Sequence, residues 1–202
     1  MRLALVLLVA LSPAACHKEK PKPAPVPQVF RVLFQTSLGD FVVEANRNWA
    51  PHGVDRFHEL VTMRYFDQGR FFRVVPGFIA QFGVHRDFSV HDHWRTMFIA
   101  DDPPREKNLR GTLAYAKSDP GTRSTEIFVN LADNKVLDDQ AFVPFARVVR
   151  GMDVIDKLYS GYGEMRPQGK YIDPARVEGE TNEYLTQRFP NLDFILHTQF
   201  LR

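Results

Sequence analysis

From Val29 onward, apolar and polar residues follow patterns that predict short strands. Phe30, Val32 and Phe34 recur at every second position, and the turn-forming stretch 37–40 leads to the apolar residues 41–43. Alternation on both sides of a turn predicts a β-hairpin. Further strand-like runs are predicted at 71–75, 79–82, 111–116, 126–129, 145–149 and 194–196.

Two segments have the residue spacing of helices. The first opens at Pro51 and places its apolar residues on one face: Val54, Phe57, Leu60 and Val61. A second, shorter helix is predicted near Gly151, and one or two further turns at 182–188, ended by Pro190. Many short strands with two substantial helices predict a mainly β fold, a closed antiparallel barrel with helices over its ends.

The first 28 residues have a different composition. After a basic start, the apolar run 3–11 and the small residues 12–15 lead into Cys16. This order predicts a secretory signal peptide over residues 1–15. Cys16 is the only cysteine, and its position resembles that of the lipidated cysteine of bacterial lipoproteins, although Pro13 stands where an aliphatic residue is usual. A cleaved signal that leaves a soluble product is the alternative.

Residues 16–28 alternate proline with lysine and other polar residues, which predicts an extended tether starting at Cys16. Residues 29–202 then form one domain, since 202 residues suffice for a single well-buried core.

The formal net charge of +2 is too small to indicate a nucleic-acid partner. No apolar run is long enough for a transmembrane helix. We therefore expect an exported monomer, held by a lipid anchor on the periplasmic side of a bacterial membrane.

The stretch 71–83 contains the most informative candidate chemistry. If Pro76, Gly77 and Phe78 form a three-residue hairpin loop, then Arg73 lies directly opposite Gln81 on one face. Phe72 and Val74 would then point into the barrel. The alternative is a surface Arg–Gln pair beside incidental apolar residues.

Such a face suits a reaction that needs neither a nucleophile nor a metal. Rotation about an Xaa-Pro bond breaks amide resonance against a barrier of ~20 kcal/mol. In the twisted transition state the prolyl nitrogen regains a lone pair, and a fixed guanidinium can donate a hydrogen bond to it. An apolar slot would hold the pyrrolidine ring, and an amide side chain would hold the peptide backbone.

Several segments resemble cyclophilin-type peptidyl-prolyl isomerases, in the order found in that family. The resemblance covers roughly residues 30–160 and is carried by Phe72-Arg-Val-Val-Pro-Gly-Phe-Ile-Ala-Gln81, Gly111-Thr-Leu-Ala-Tyr-Ala116, Thr122-Arg-Ser-Thr-Glu-Ile-Phe-Val-Asn130, residues 137–145 and residues 148–156. It implies an eight-stranded barrel capped by two helices, isomerase activity on Xaa-Pro bonds of exported proteins, and no cofactor.

The resemblance also implies roles for individual residues. Arg73 matches the catalytic arginine of the family. The implied peptide-binding residues are Phe78, Ile79, Gln81, Tyr115, Ala116, Lys117, Glu126, Phe128, Leu137 and Phe142. Lys117 and Glu126 replace a common asparagine and a common glutamine, which makes the substrate preference uncertain, and the two side chains could pair across the groove.

Two other functions remain open at this point. A proline-binding chaperone or scaffold would keep the groove with weak turnover. A metal-dependent hydrolase could use Asp87 and the histidines of the predicted loop 84–102, His85, His91 and His93, although their spacing fits no standard zinc pattern. The tail from Gly161 resembles an extension of some bacterial relatives, and packing on the barrel is its expected role.

Overall fold

A computed structural model describes residues 25–201 of the chain. The predicted signal peptide, Cys16 and most of the predicted tether lie outside these residues. The described elements, in chain order, are β1 (Val29–Thr36), β2 (Gly39–Asn46), α1 (Pro51–Thr62), β3 (Arg73–Val75), β4 (Ile79–Phe82), α2 (Phe88–Arg95), β5 (Thr112–Tyr115), β6 (Ile127–Asn130), α3 (Lys135–Asp139), β7 (Pro144–Arg150), α4 (Met152–Ile155), α5 (Pro174–Arg188) and β8 (Ile195–Leu201). None of the described helices has the length and apolar character needed to cross a bilayer.

The predicted first hairpin is confirmed. β1 and β2 pair antiparallel from Val29–Asn46 to Thr36–Gly39. The hydroxyl of Thr36 donates to the carbonyl of Gly39 at 2.6 Å, which closes the turn. Gly39 has a φ of +135°, a conformation that a side chain would strain.

The eight strands form one antiparallel sheet in the order β3-β4-β6-β5-β7-β2-β1-β8. The prediction of a closed barrel is wrong, because within residues 25–201 no ladder joins the edge strands β3 and β8. β3 has only three residues, and the gap is crossed instead by an isolated bridge between Arg70 and Phe194. The fold is therefore a curled, open half-barrel.

Aromatic side chains fill the concave side of the sheet. Phe34 stacks on Phe41 with ring centroids 4.7 Å apart, and Phe57 of α1 packs against Phe145 of β7 at 5.2 Å. All four rings are fully buried, and each such burial contributes about 1.5–3 kcal/mol. This core fixes the strands whose outer face carries the candidate site.

The helices differ from prediction in number and length. α1 is confirmed, and α4 begins one residue after Gly151, close to the predicted position. The segment predicted as the loop 84–102 contains α2, whose first turn is capped by Asp87, which accepts from the backbone N–H of Ser89 at 2.8 Å. α3 is also additional, and α5 begins eight residues before the predicted turns at 182–188 and is interrupted at Thr181. The described residues therefore contain more helices than the two capping helices that were predicted.

The N-terminus of α1 is capped by a distant side chain. Its own N-cap residue, Ala50, has no side-chain oxygen to offer. Asp102 instead accepts from the backbone N–H groups of His52 and Gly53, each at 2.9 Å, and pairs with Arg123 at 3.0 Å. Both members of this ion pair are almost fully buried. The contact joins the loop after α2 to the start of α1.

Residues 160–192, here termed the C-terminal excursion, leave the barrel and return to it. Their apolar side chains form a second cluster with Phe72 and Val84, which lies apart from the main core. The prediction that Phe72 points into the barrel is wrong for this reason, whereas Val74 does join the main core. Asp193 joins the two ends of the excursion, accepting from the hydroxyl of Ser37 at 2.7 Å and from the backbone N–H of Tyr159 at 2.8 Å.

Candidate active site

The β3–β4 hairpin places the two predicted polar side chains opposite each other. Arg73 pairs with Gln81, and Val75 with Ile79, in the predicted register. Gly77 has a φ of +72°, and the N–H of Phe78 donates to the carbonyl of Val75 at 2.9 Å. The guanidinium Nη1 of Arg73 donates to Oε1 of Gln81 at 3.1 Å. The glycine in the loop thus brings both side chains to the outer face.

An apolar pocket lies beside this pair. A separate buried cluster of Ile79, Ala114, Phe128 and Leu137 forms it, with Phe78, Ala116 and Phe142 packed around it. The rings of Phe128 and Phe142 meet edge to face at 5.6 Å. The cavity over this cluster has a volume of about 610 Å³, which is within the usual range for a ligand site.

Arg73 is held at the rim of the pocket by three groups. Its Cζ lies 5.7 Å from the ring centroid of Phe78, within the distance of a cation–π contact. Besides its bond to Gln81, it contacts Glu164 of the C-terminal excursion: Nη2 donates to Oε2 at 2.7 Å, and Nε lies 2.6 Å from Oε1. Each terminal nitrogen therefore keeps one N–H that these bonds do not use.

A chain of polar side chains continues from Gln81 away from Arg73. Nε2 of Gln81 donates to Oε2 of Glu126 at 2.5 Å, and the carboxyl of Glu126 is hydrogen-bonded to that of Glu178 in α5. Burial raises the pKa of Glu126 well above its ordinary value, and the bond to Glu178 raises it further. Of the two carboxyls, Glu126 is therefore the one that holds a proton more readily.

Glu178 is the ionised member. Burial alone would raise the pKa of Glu178, but hydrogen bonds from His91 and Glu126 outweigh it and lower that pKa to about 2. Nε2 of the fully buried His91 lies 3.1 Å from Oε2 of Glu178, and its Nδ1 lies 3.2 Å from the hydroxyl of Tyr65. The chain thus connects the groove to α2 and α5.

The structure brings together nearly all the predicted site residues. The cavity is lined by Arg73, Phe78, Ile79, Gln81, Ala116, Lys117, Glu126, Phe128, Leu137 and Phe142. Tyr115 is the exception: its side chain is fully buried in the main core, and its hydroxyl donates to the carbonyl of Gly53 at 3.0 Å. As a residue of strand β5 it points to the face opposite that of Ala114, so its assignment to the groove is corrected.

The suggested pair between Lys117 and Glu126 is not formed among the described residues. Glu126 bonds to Gln81 and Glu178, and Nζ of Lys117 lies 5.6 Å from the ring centroid of Phe142. The cationic tip of Lys117 therefore lies over the aromatic wall of the pocket and away from the buried carboxyls.

Sequence reasoning missed other residues of the cavity wall. These are Arg95, Phe98, Ser118, Thr122, Ser124, Gln140, Met165 and Glu178. Met165 and Glu178, together with Glu164 on Arg73, belong to the C-terminal excursion, which begins where the resemblance carried by the sequence motifs, roughly residues 30–160, ends. Because these residues are far from Arg73 in sequence, no local pattern could indicate the contact.

The predicted histidine cluster does not form a metal site in the part of the chain that the structure describes. Residues 25–201 contain no group of three or more His, Cys, Asp or Glu side chains placed to hold a metal ion. His91 is buried between Tyr65 and Glu178, and Nδ1 of His85 accepts from the backbone N–H of Asp87 at 2.9 Å. The metal-dependent hydrolase therefore has no support from the geometry.

A guanidinium and an amide beside an apolar pocket, on the outer face of a curled antiparallel sheet, define a site for an extended peptide with a compact apolar side chain. Residues 31–178 match the family model described as cyclophilin type peptidyl-prolyl cis-trans isomerase/CLD. The chain therefore belongs to the cyclophilin-type peptidyl-prolyl cis-trans isomerase family, and the predicted family and enzyme class are confirmed.

Bacterial relatives agree with this assignment. The peptidyl-prolyl cis-trans isomerase of Acinetobacter baylyi is 31% identical over 132 residues, covering 63% of this chain and 70% of the relative. Isomerase A of Dickeya dadantii is 33% identical over 139 residues, with the same two coverages.

Solved structures share the fold at low identity. A cyclophilin-type isomerase of Cryptosporidium parvum aligns with a TM-score of 0.61 at 17% identity, covering 86% of this chain and 98% of that one. The structure of the same protein in the presence of the dipeptide Ala-Pro aligns with a TM-score of 0.58 at 18% identity, covering 85% of this chain and 99% of the other.

Proposed function

We propose that this chain speeds the cis–trans isomerisation of Xaa-Pro bonds in exported proteins, with Arg73 as the catalytic residue. The observation that carries the proposal is the position of Arg73. Its guanidinium lies at the rim of the pocket formed by Ile79, Phe128 and Leu137, and each of its terminal nitrogens keeps one N–H. A structure of the same fold determined in the presence of the dipeptide Ala-Pro supports a prolyl ring as the occupant.

The mechanism we propose uses binding and electrostatics alone. The pyrrolidine ring enters the apolar pocket, which removes water from the reacting bond and strengthens any hydrogen bond made there. As the peptide bond twists, the prolyl nitrogen becomes pyramidal and accepts from an N–H of Arg73. This bond exists in the transition state and not in the planar ground state, so it lowers the barrier without tightening substrate binding.

The remaining wall of the groove holds the peptide. The amide of Gln81 is held between Arg73 and Glu126, which fixes its orientation. The backbone at Ala116 and Lys117 borders the cavity and can pair with an extended substrate. We propose that Phe78 and Phe142 complete the wall around the prolyl ring, since both lie against the buried cluster.

The test is an isomerase assay without a coupling protease, on a tetrapeptide containing Ala-Pro-Phe, for the wild-type chain and Arg73→Ala. Loss of one charged hydrogen bond made in the transition state should slow turnover by roughly 10²–10³-fold. Peptide affinity, measured by calorimetry, should change little. A folded wild type that binds the peptide without speeding isomerisation would favour the proline-binding scaffold.

We also propose that the protein acts outside the cytoplasm on a lipid anchor at Cys16, as a monomer. The signal-like order of residues 1–15 and the proline-rich residues 16–28 support the export and the anchor. Metabolic labelling with a fatty acid, compared between wild type and Cys16→Ser, tests the anchor. Label in the wild type alone is the expected result, and equal absence of label would support a cleaved, soluble product.

A further inference from the structure

Glu164 makes the closest contact to the proposed catalytic arginine, and it comes from the C-terminal excursion. Its Oε2 accepts from Nη2 of Arg73 at 2.7 Å, and its Oε1 lies 2.6 Å from Nε. Oε1 also accepts from the backbone N–H of Met165 at 2.8 Å, which fixes the carboxylate against its own chain. Both side chains are mostly shielded, with 21% of Arg73 and 28% of Glu164 exposed.

This contact determines the orientation of the guanidinium. The hydrogen bond to Nη2 and the close ion-pair contact with Nε lie along one edge of the guanidinium, and together they restrict its rotation. Without Glu164, the hydrogen bond from Nη1 to Gln81 and the contact with the ring of Phe78 would be the remaining contacts. Arginine has many rotamers, so a single hydrogen bond leaves its tip free to move.

The same geometry leaves the proposed reactive end of Arg73 open. Glu164 occupies the Nε side of the guanidinium and one N–H of Nη2, and Gln81 takes one N–H of Nη1. The remaining N–H of Nη1 and the remaining N–H of Nη2 are not used by the bonds to Gln81 and Glu164. The carboxylate therefore fixes the donor group without using the donors that the reaction requires.

We propose that Glu164 is a positioning residue for the isomerase reaction, so that the C-terminal excursion completes the active site. This inference rests on the proposed function. It assigns the excursion a role beyond the packing on the barrel that the sequence suggested. Because Glu164 acts through Arg73, its removal should lower kcat and leave KM almost unchanged.

The experiment compares Glu164→Ala and Glu164→Gln with wild type and Arg73→Ala in the same isomerase assay on the full chain. We expect Glu164→Ala to lower kcat roughly tenfold with KM within about twofold of wild type. Glu164→Gln, which keeps one oxygen acceptor of the same length, should retain an intermediate kcat. Glu180→Gln is the matched control, because it removes an exposed ion pair with Arg176 in the same excursion and should leave kcat unchanged.

The double variant Arg73→Ala/Glu164→Ala tests whether the two residues act as a unit. If Glu164 acts only by orienting Arg73, the double variant should be no slower than Arg73→Ala. A further tenfold loss in the double variant would overturn the inference, as would an unchanged or raised kcat in Glu164→Ala. A wild type without activity would refute the proposed function itself, whereas an impaired Arg73→Ala beside normal Glu164 variants would refute the inference alone.

Discussion

Removal of the buried carboxylate of Asp102 should be among the most destabilising single substitutions in this fold. This carboxylate accepts from two N–H groups at the start of α1 and pairs with Arg123, whose side chain is 2% exposed. Asp102→Ala removes the cap of α1 and leaves the guanidinium of Arg123 without its buried partner.

The expected loss follows from these contacts. Removing a helix cap costs about 0.5–2 kcal/mol. Breaking a buried ion pair from one side costs about 3–5 kcal/mol, and the partly exposed Asp101 compensates the remaining charge of Arg123 only in part. The two effects share one carboxylate and are not additive, so we expect a total of about 3–5 kcal/mol. For a chain of this size, this loss corresponds to a fall in Tm of roughly 10 °C.

Urea unfolding followed by circular dichroism measures this loss, and Asp101→Ala is the matched control. The carboxylate of Asp101 also lies close to Arg123, at 3.1 Å from Nε, but 35% of its side chain is exposed. An exposed ion pair of this kind contributes about 1 kcal/mol or less. Equal losses in the two variants would refute the reasoning from burial and capping.

Two further predictions concern the groove and its border. The stability of Glu126→Gln relative to wild type should rise as pH increases above about 4.5. The native protein raises the pKa of Glu126, so wild type is stabilised at pH values below the unfolded-state pKa of this group. Wild type loses that contribution at higher pH, whereas the glutamine variant has no group to titrate. The difference in unfolding free energy should grow by at most about 1.4 kcal/mol per pH unit, and a difference that stays constant between pH 5 and 7 would contradict the assignment. Tyr115→Phe should cost about 1 kcal/mol of stability, through loss of the bond to Gly53, and leave kcat/KM unchanged. A reduced kcat/KM without loss of stability would instead indicate that Tyr115 contributes to the groove.

Local features of the site could be predicted from sequence because short-range rules govern them. The register of Arg73 against Gln81 follows from a three-residue loop with glycine at a positive φ and from the two-residue period of a strand. The pocket residues Phe128 and Leu137 came from a family resemblance, and the structure places both at the cavity.

Features that depend on distant contacts could not be predicted. The closed barrel failed because, within residues 25–201, only the isolated bridge between Arg70 and Phe194 spans the gap between the edge strands β3 and β8, and pairing between edge strands depends on contacts distant in sequence. The cap of α1 by Asp102 and the contact of Glu164 with Arg73 join residues far apart in sequence. Tyr115 was assigned to the groove from the family resemblance, and the pattern of strand β5 could not correct this, because all four of its residues are buried and the two faces look alike in sequence.

The hydrogen bonds of Asp193 hold the two ends of the C-terminal excursion close together. The chain leaves the barrel at Tyr159 and returns at Asp193, and the side chain of Asp193 joins these two points and Ser37. The entropy of closing such a loop grows slowly, by about 0.6 kcal/mol for each doubling of length. Changes of length in the exposed parts of the excursion therefore cost little while β7 and β8 stay in place, whereas its buried side chains are required to cover Phe72 and Val84. A change of length near Glu164 would thus alter the surroundings of Arg73 while the hairpin that carries Arg73 stays in place.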